Sequence, residues 1–205
     1  DKAAFLHASD IVTSIDGDAI ERAERSEPNI TSLVHQGQHI MVQVVKDPLG
    51  TKGARLTTDI TLPSRYLVFM PGVCHVGISQ RIEDDNERAR LKSLIEEGAA
   101  EHDDVQGGYI IRTAAEAASA EDLIADMTYL HRLSQSIQER IAKAPAPSVV
   151  YQDLPLFIRT IRDLIRPQTE KVRIDSRESY QRVMEFVKEF VTEFADKVEY
   201  YPGER

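Results

Sequence analysis

The sequence predicts an α+β fold in which a strand-rich opening segment precedes segments of mixed strand and helix. Three observations carry this. Residues 41–45, MVQVV, form a continuous β-branched run, and Leu56, Thr58, Ile60 and Leu62 alternate with polar neighbours at the two-residue period of a half-buried strand. GGYII at 107–111 is a strand set between helical patterns. Leu123, Met127, Leu130, Leu133, Ile137 and Ile141 recur at three- and four-residue spacing, the stripe of an amphipathic helix.

Residues 1–63 read as mostly strand, beginning with Ala3-Ala4-Phe5-Leu6. Residues 13–30 are polar and acidic, contain Gly17 and Pro28, and read as a long loop. DPLGTKG at 47–53 holds a proline and two glycines, the composition of a loop joining two antiparallel strands. Several short strands so close together predict a small barrel. In residues 64–157, Tyr66–Met70 is an apolar strand stopped by Pro71-Gly72, and Val76–Ile82 is another. Asp84 or Asp85 can cap a helix that carries Leu91, Leu94 and Ile95 on one face. Ser119 caps the long helix, and Ala144-Pro145-Ala146-Pro147 ends it. In residues 158–205, Ile158, Ile161, Leu164 and Ile165 mark a short helix and Val172–Ile174 a strand. Asp175 with Glu178 makes a capping box for a helix whose apolar face is Tyr180, Val183, Val187, Phe190 and Phe194. One strand and two helices cannot close a core, so this piece is expected to complete itself with sequence elsewhere.

At 205 residues the chain has room for one large or two small domains. No apolar run is long enough to span a membrane. The chain opens on Asp1, inside what reads as a strand and without a secretory leader, which predicts a segment of a longer protein. Cys74, the only cysteine, can form no internal disulfide and cannot hold a structural zinc by itself. It is expected to be a small, partly buried residue, and a reducing, cytoplasmic compartment fits. The net charge of −9 argues against coating nucleic acid by bulk attraction, but leaves room for a local basic groove.

No catalytic constellation is visible. GxxxxGKS/T, GxGxxG, HExxH and GxSxG are all absent, and the six histidines are scattered. Binding features are stronger. Phe5 on a strand and Lys52 in a glycine-flanked loop could stack a base and meet a phosphate; core packing for Phe5 and a solvated lysine remain the alternatives. Arg112 offers a planar fork of donors suited to phosphate, and the Thr113 hydroxyl and backbone N–H can add to the same anion. Ala114 and Ala115 behind them leave the backbone approachable.

DKAAFLH (1–7), VQVVKD (42–47), GTKGARLTTDITLPSRYLVFMPG (50–72), GISQRIE (77–83) and GYIIRTA (108–114) together resemble the ribonuclease E/G family. IDSRESY (174–180) and YYPGER (200–205) are similar as well, so the resemblance covers nearly the whole chain.

That resemblance implies a partial S1 (OB-type) RNA-binding barrel over 1–63, a 5′-sensor domain over 64–157 and the later part of an RNase H-like subdomain over 158–205. The DNase I-like catalytic domain would follow Arg205. It would bring Mg²⁺, and a downstream cysteine pair would share zinc between subunits of a homo-oligomer. Arg112 and Thr113 match the pair that grips an RNA 5′ phosphate, and Val68 matches the valine that packs on the first base. Ser64 stands where some members carry glycine and would offer its backbone N–H. Phe5 and Lys52 match S1 residues along the RNA path, and Lys46 matches a further lysine there. The implied function is sensing of the 5′ monophosphate on single-stranded RNA, not DNA, for an endoribonuclease of rRNA processing and mRNA decay. The fragment alone would be inactive. A monophosphate fits such a pocket better than a bulkier triphosphate, and phosphate contacts position the RNA while base contacts are few. A stand-alone RNA-binding module without hydrolysis, and a purely structural interaction domain, are the competing readings.

Overall fold

The computed structural model describes residues 4–11, 29–100 and 107–203. The loop expected over 13–30 lies almost entirely outside them.

The opening sheet has three strands, β1 (Phe5–Leu6), β2 (Gln43–Lys46) and β3 (Arg55–Thr57), in the order β1-β3-β2. β2 and β3 are antiparallel, as the 47–53 loop predicts, and Leu49 and Lys52 exchange backbone hydrogen bonds of 3.2 and 3.0 Å at its tip. β1 runs parallel to β3. A single-turn helix, α1 (Ile30–Leu33), precedes β2. The sheet is open, and none of the sheets among the described residues closes into the expected barrel. The alternating run 56–62 is also not one strand. Asp10 O accepts from the Thr57 hydroxyl at 3.0 Å and from Thr58 N–H at 2.9 Å, and Thr57 Oγ1 accepts from Asp59 N–H at 3.0 Å. The local Thr57–Asp59 bond competes with the ladder, and with the distant carbonyl of Asp10 it ends β3.

The chain restarts as β4 (Leu62–Pro63) in a second sheet with β5 (Leu67–Pro71), β6 (Val76–Ile78) and β7 (Gly107–Ile111), ordered β4-β5-β7-β6. β5 is antiparallel to β7, and β6 is parallel to it. Parallel neighbours need a crossover. Helix α2 (Asp85–Ala100) lies within it, its first turn capped by Asp84 Oδ1 accepting from Asn86 and Glu87 N–H at 2.8 and 3.1 Å. β6 is shorter than the expected 76–82 strand because the chain turns at Ser79, where Ile82 N–H reaches back to Ser79 O at 3.2 Å.

Strand alternation sorts the two faces. Leu67, Phe69, Tyr109 and Ile111 are buried, while Val68 and Ile110, opposite each other in register, face outward. The inner face packs against α3 (Ala120–Lys143), capped by Ser119 as expected. Leu123, Met127, Leu130, Leu133 and Ile137 are buried there; Ile141, one turn beyond Ile137 near the end of the helix, is exposed instead. Cys74 is likewise exposed rather than part of the core, since it lies in the turn after β5.

The last region holds α4 (Leu156–Leu164), β8 (Val172–Ile174), α5 (Arg177–Phe190) and β9 (Val198–Tyr200), with β8 and β9 parallel. Leu164 is exposed and Ile165, just past the helix end, is the buried residue. The N-cap of α5 is Ser176, whose Oγ accepts from Ser179 N–H at 3.2 Å, not the expected Asp175–Glu178 box. The region does not stand apart. Val183, Phe186, Val187 and Phe190 join the same apolar cluster as Phe69 and Leu130, and Phe190 meets the Tyr129 ring edge-on at 5.8 Å.

Candidate nucleic-acid interface

The strand directions of the second sheet bring three chain segments to one edge. β7 ends there. Its parallel neighbour β6 ends beside it, and its antiparallel neighbour β5 begins there. The edge therefore collects Ser64–Tyr66, Ser79–Arg81 and Arg112–Thr113.

Arg112 is anchored twice. Its backbone N–H donates to Tyr66 O at 2.8 Å. Its Nη1 donates to Ser64 O, and to Arg65 O at 3.3 Å. The remaining guanidinium donors have no protein partner among the described residues. Thr113 Oγ1 lies 3.1 Å from Ser79 Oγ, and Ser79 N–H donates to Ile111 O at 2.9 Å. Between these groups opens a cavity of about 330 Å³, lined by Ser79, Arg81, Ile110, Arg112, Thr113 and Ala114. Arg112 and Thr113 are exposed to it. Ala115 is not part of it but sits fully buried in the core.

A second layer holds the 64–67 turn that supplies the carbonyls for Arg112. Asp126, on the buried face of α3, accepts at Oδ2 from Ser64 Oγ at 2.5 Å, Tyr66 N–H at 2.9 Å and Leu67 N–H at 3.1 Å. Burial pushes the Asp126 carboxyl up, and the Ser64 and Tyr66 hydrogen bonds pull the other way. Ser64 is fully buried, and its N–H donates to Leu67 O at 2.8 Å. From α2, Glu87 accepts from Ala117 N–H at 3.0 Å and pairs with Arg90 at 2.7 Å, which ties down the turn after Thr113. The Arg90 guanidinium holds the Glu87 carboxyl at about 2.

The residues expected along the RNA path lie on the other sheet. Phe5 and Lys46 both pair with Arg55, so they flank it at one level of β1-β3-β2. Phe5 is 58% exposed, which removes core packing as its role. Arg55 is held by Asp10 through two bonds of 3.1 Å. Lys52 is exposed at the tip of the β2–β3 loop. Val68, half-buried and beside Ile110, is the apolar surface next to the pocket.

Reasoning from sequence missed Ser79, Arg81, Ile110 and Asp126. GISQRIE contains two of them, but only the parallel pairing of β6 with β7 reveals that this turn reaches Arg112. Among the described residues no three His, Cys, Asp or Glu side chains converge as a metal site. No helix of the described residues is long and apolar enough to cross a membrane.

A pocket of guanidinium, hydroxyl and open backbone at a sheet edge has the chemistry of a phosphate receptor. The chain belongs to the Ribonuclease E/G family, which matches residues 61–205. It is 52% identical to ribonuclease G of Salmonella typhimurium and 50% identical to ribonuclease G of Escherichia coli K12, each over 99% of this chain and 41% of the relative. It is 36% identical to ribonuclease E of Haemophilus influenzae over 88% of this chain and 19% of the relative. The chain thus spans about two fifths of the length of the ribonuclease G relatives.

Proposed function

We propose that this chain is the RNA-binding, 5′-monophosphate-sensing region of a single-strand-specific endoribonuclease that acts in cytoplasmic rRNA processing and mRNA decay. The observation that carries the reading is the pocket formed by Arg112, Thr113 and Ser79 beside the outward-facing Val68 and Ile110. Arg112 presents a pre-oriented fork to the phosphate, and the Thr113 hydroxyl adds a donor. Val68 and Ile110 give the first base an apolar bearing surface. In this reading Ser64 acts through its carbonyl, which orients Arg112, since its N–H is already bonded to Leu67.

In the same reading residues 1–63 are an S1-type unit whose Phe5, Lys46 and Lys52 guide the strand onward. Residues 64–157 are the sensor, and 158–205 belong to an RNase H-like subdomain. Hydrolysis, with Mg²⁺, belongs to sequence outside this chain, as does the zinc-linked homo-oligomer. The residues described here bind and orient RNA by its end, and the segment alone is inactive.

Fluorescence anisotropy tests this. A short single-stranded RNA with a 5′ monophosphate is compared with its 5′-hydroxyl counterpart at fixed salt. The monophosphate binds more tightly, and Arg112→Ala removes only that difference, a loss of about 1.5–3 kcal/mol. Equal binding of both RNAs by the unaltered protein contradicts the reading.

A further inference from the structure

We infer that Arg81 is a second cationic ligand of the terminal phosphate, gripping it from the side of the pocket opposite Arg112; this rests on the 5′-monophosphate reading of that pocket. β7 lies between β5 and β6. The Arg112 side chain folds toward the β5 side, onto the Ser64 and Arg65 carbonyls. Arg81 follows β6, on the other side, and lines the same cavity.

One hydroxyl links Arg81 to the rest of the site. Ser79 Oγ lies 3.1 Å from Thr113 Oγ1 and accepts from Arg81 N–H at 3.4 Å. A phosphate on the Thr113 hydroxyl is therefore within reach of the long Arg81 side chain.

The neighbouring cations have other work. Arg88 Nη1 donates to Ser79 O and Ile82 O, both at 2.9 Å, and so shapes the turn that carries Arg81. Arg90 is paired with Glu87. The Arg81 guanidinium is exposed and, among the described residues, makes no hydrogen bond or ion pair. Asp84, the nearest capping acid, is turned onto the N–H groups of α2. A phosphomonoester carries a charge of roughly −1.5 to −2 near neutral pH, so two guanidinium forks match it better than one.

The test is the affinity of the full-length protein for 5′-monophosphate and 5′-hydroxyl forms of one single-stranded RNA. Wild type, Arg81→Ala, Arg81→Lys and Arg112→Ala are compared at fixed salt. Arg81→Ala lowers the preference for the monophosphate by about tenfold while the 5′-hydroxyl RNA loses no more than about twofold. Arg81→Lys, which keeps the charge but not the fork, falls between. Equal loss for both RNAs would place Arg81 on the chain's internal phosphates and overturn the inference, as would an unchanged preference. If Arg112→Ala abolishes the preference and Arg81→Ala does not, only the role of Arg81 fails. If wild type has no preference, the 5′-phosphate reading itself fails.

Discussion

Arg112 is useful because it is fixed at both ends. Its N–H is spent on Tyr66 O and one terminal nitrogen on Ser64 and Arg65, which leaves the rest of the fork to a ligand. That orientation depends on Asp126, which gathers three donors of the 64–67 turn onto one oxygen. Asp126→Ala strands the Tyr66 N–H in the interior, at a cost of about 1–3 kcal/mol, and leaves the Leu67 N–H only its 3.3 Å bond to Ser64 Oγ. A lower melting temperature together with a reduced preference for 5′-monophosphate RNA is the expected result. Loss of stability with the preference intact would separate the turn from recognition. No short-range signal marks Asp126 in the sequence: it is an acidic residue in a helix whose apolar stripe, Leu123, Met127 and Leu130, surrounds it.

At the scale of elements, the site exists because β6, β5 and β7 end or begin at one edge, and two glycines at the start of β7 make that packing possible. A Cβ on Gly107 would meet the Phe69 ring at 2.2 Å, and one on Gly108 would meet His75 O at 2.3 Å and Val73 O at 2.4 Å. The second contact is with backbone, which cannot rotate away. Gly108→Ala forces the 73–75 segment outward and weakens β6 pairing, at about 1–3 kcal/mol in thermal or denaturant unfolding. Because Ser79 and Arg81 follow β6, the 5′-end preference falls with it. A variant as stable as wild type would show that the segment yields freely.

Most elements of this sheet were legible from the sequence. Tyr66–Met70 and GGYII announce themselves as apolar strands, and the Ser119 cap and α3 stripe mark the helix that covers them. What was not legible depended on contacts distant in sequence. The 56–62 alternation looks like one strand, but Asp10 O captures Thr57 and Thr58 and divides it between two sheets. β9 has only three residues and takes its register from β8, 26 positions earlier at Val172↔Val198. Arg112 and Thr113 could be singled out by type and by the family resemblance. Their partners Ser79 and Arg81 required the topology.

Across the whole molecule, the charge balance and the site pull in opposite directions. A net charge of −9 repels a polyanion at long range, so the proposed RNA binding calls for local cations at short range. Among the described residues, cations stand at the pocket, where Arg112 and Arg81 lie, and on the open β1-β3-β2 sheet, where Lys46 and Lys52 accompany Phe5. The core is continuous from the second sheet into α5, and Arg132 Nη1 donates to Phe190 O at 2.8 Å across that junction. The pocket is thus built on a packed body rather than on a separate loop. Amide NMR titration with a 5′-monophosphorylated dinucleotide and its 5′-hydroxyl counterpart distinguishes the surfaces most directly. Shifts centred on Ser79, Arg81 and Ile110–Thr113 are expected with the monophosphate only. Identical shifts from both ligands, or shifts confined to β1, β2 and β3, would contradict 5′-phosphate recognition at the pocket.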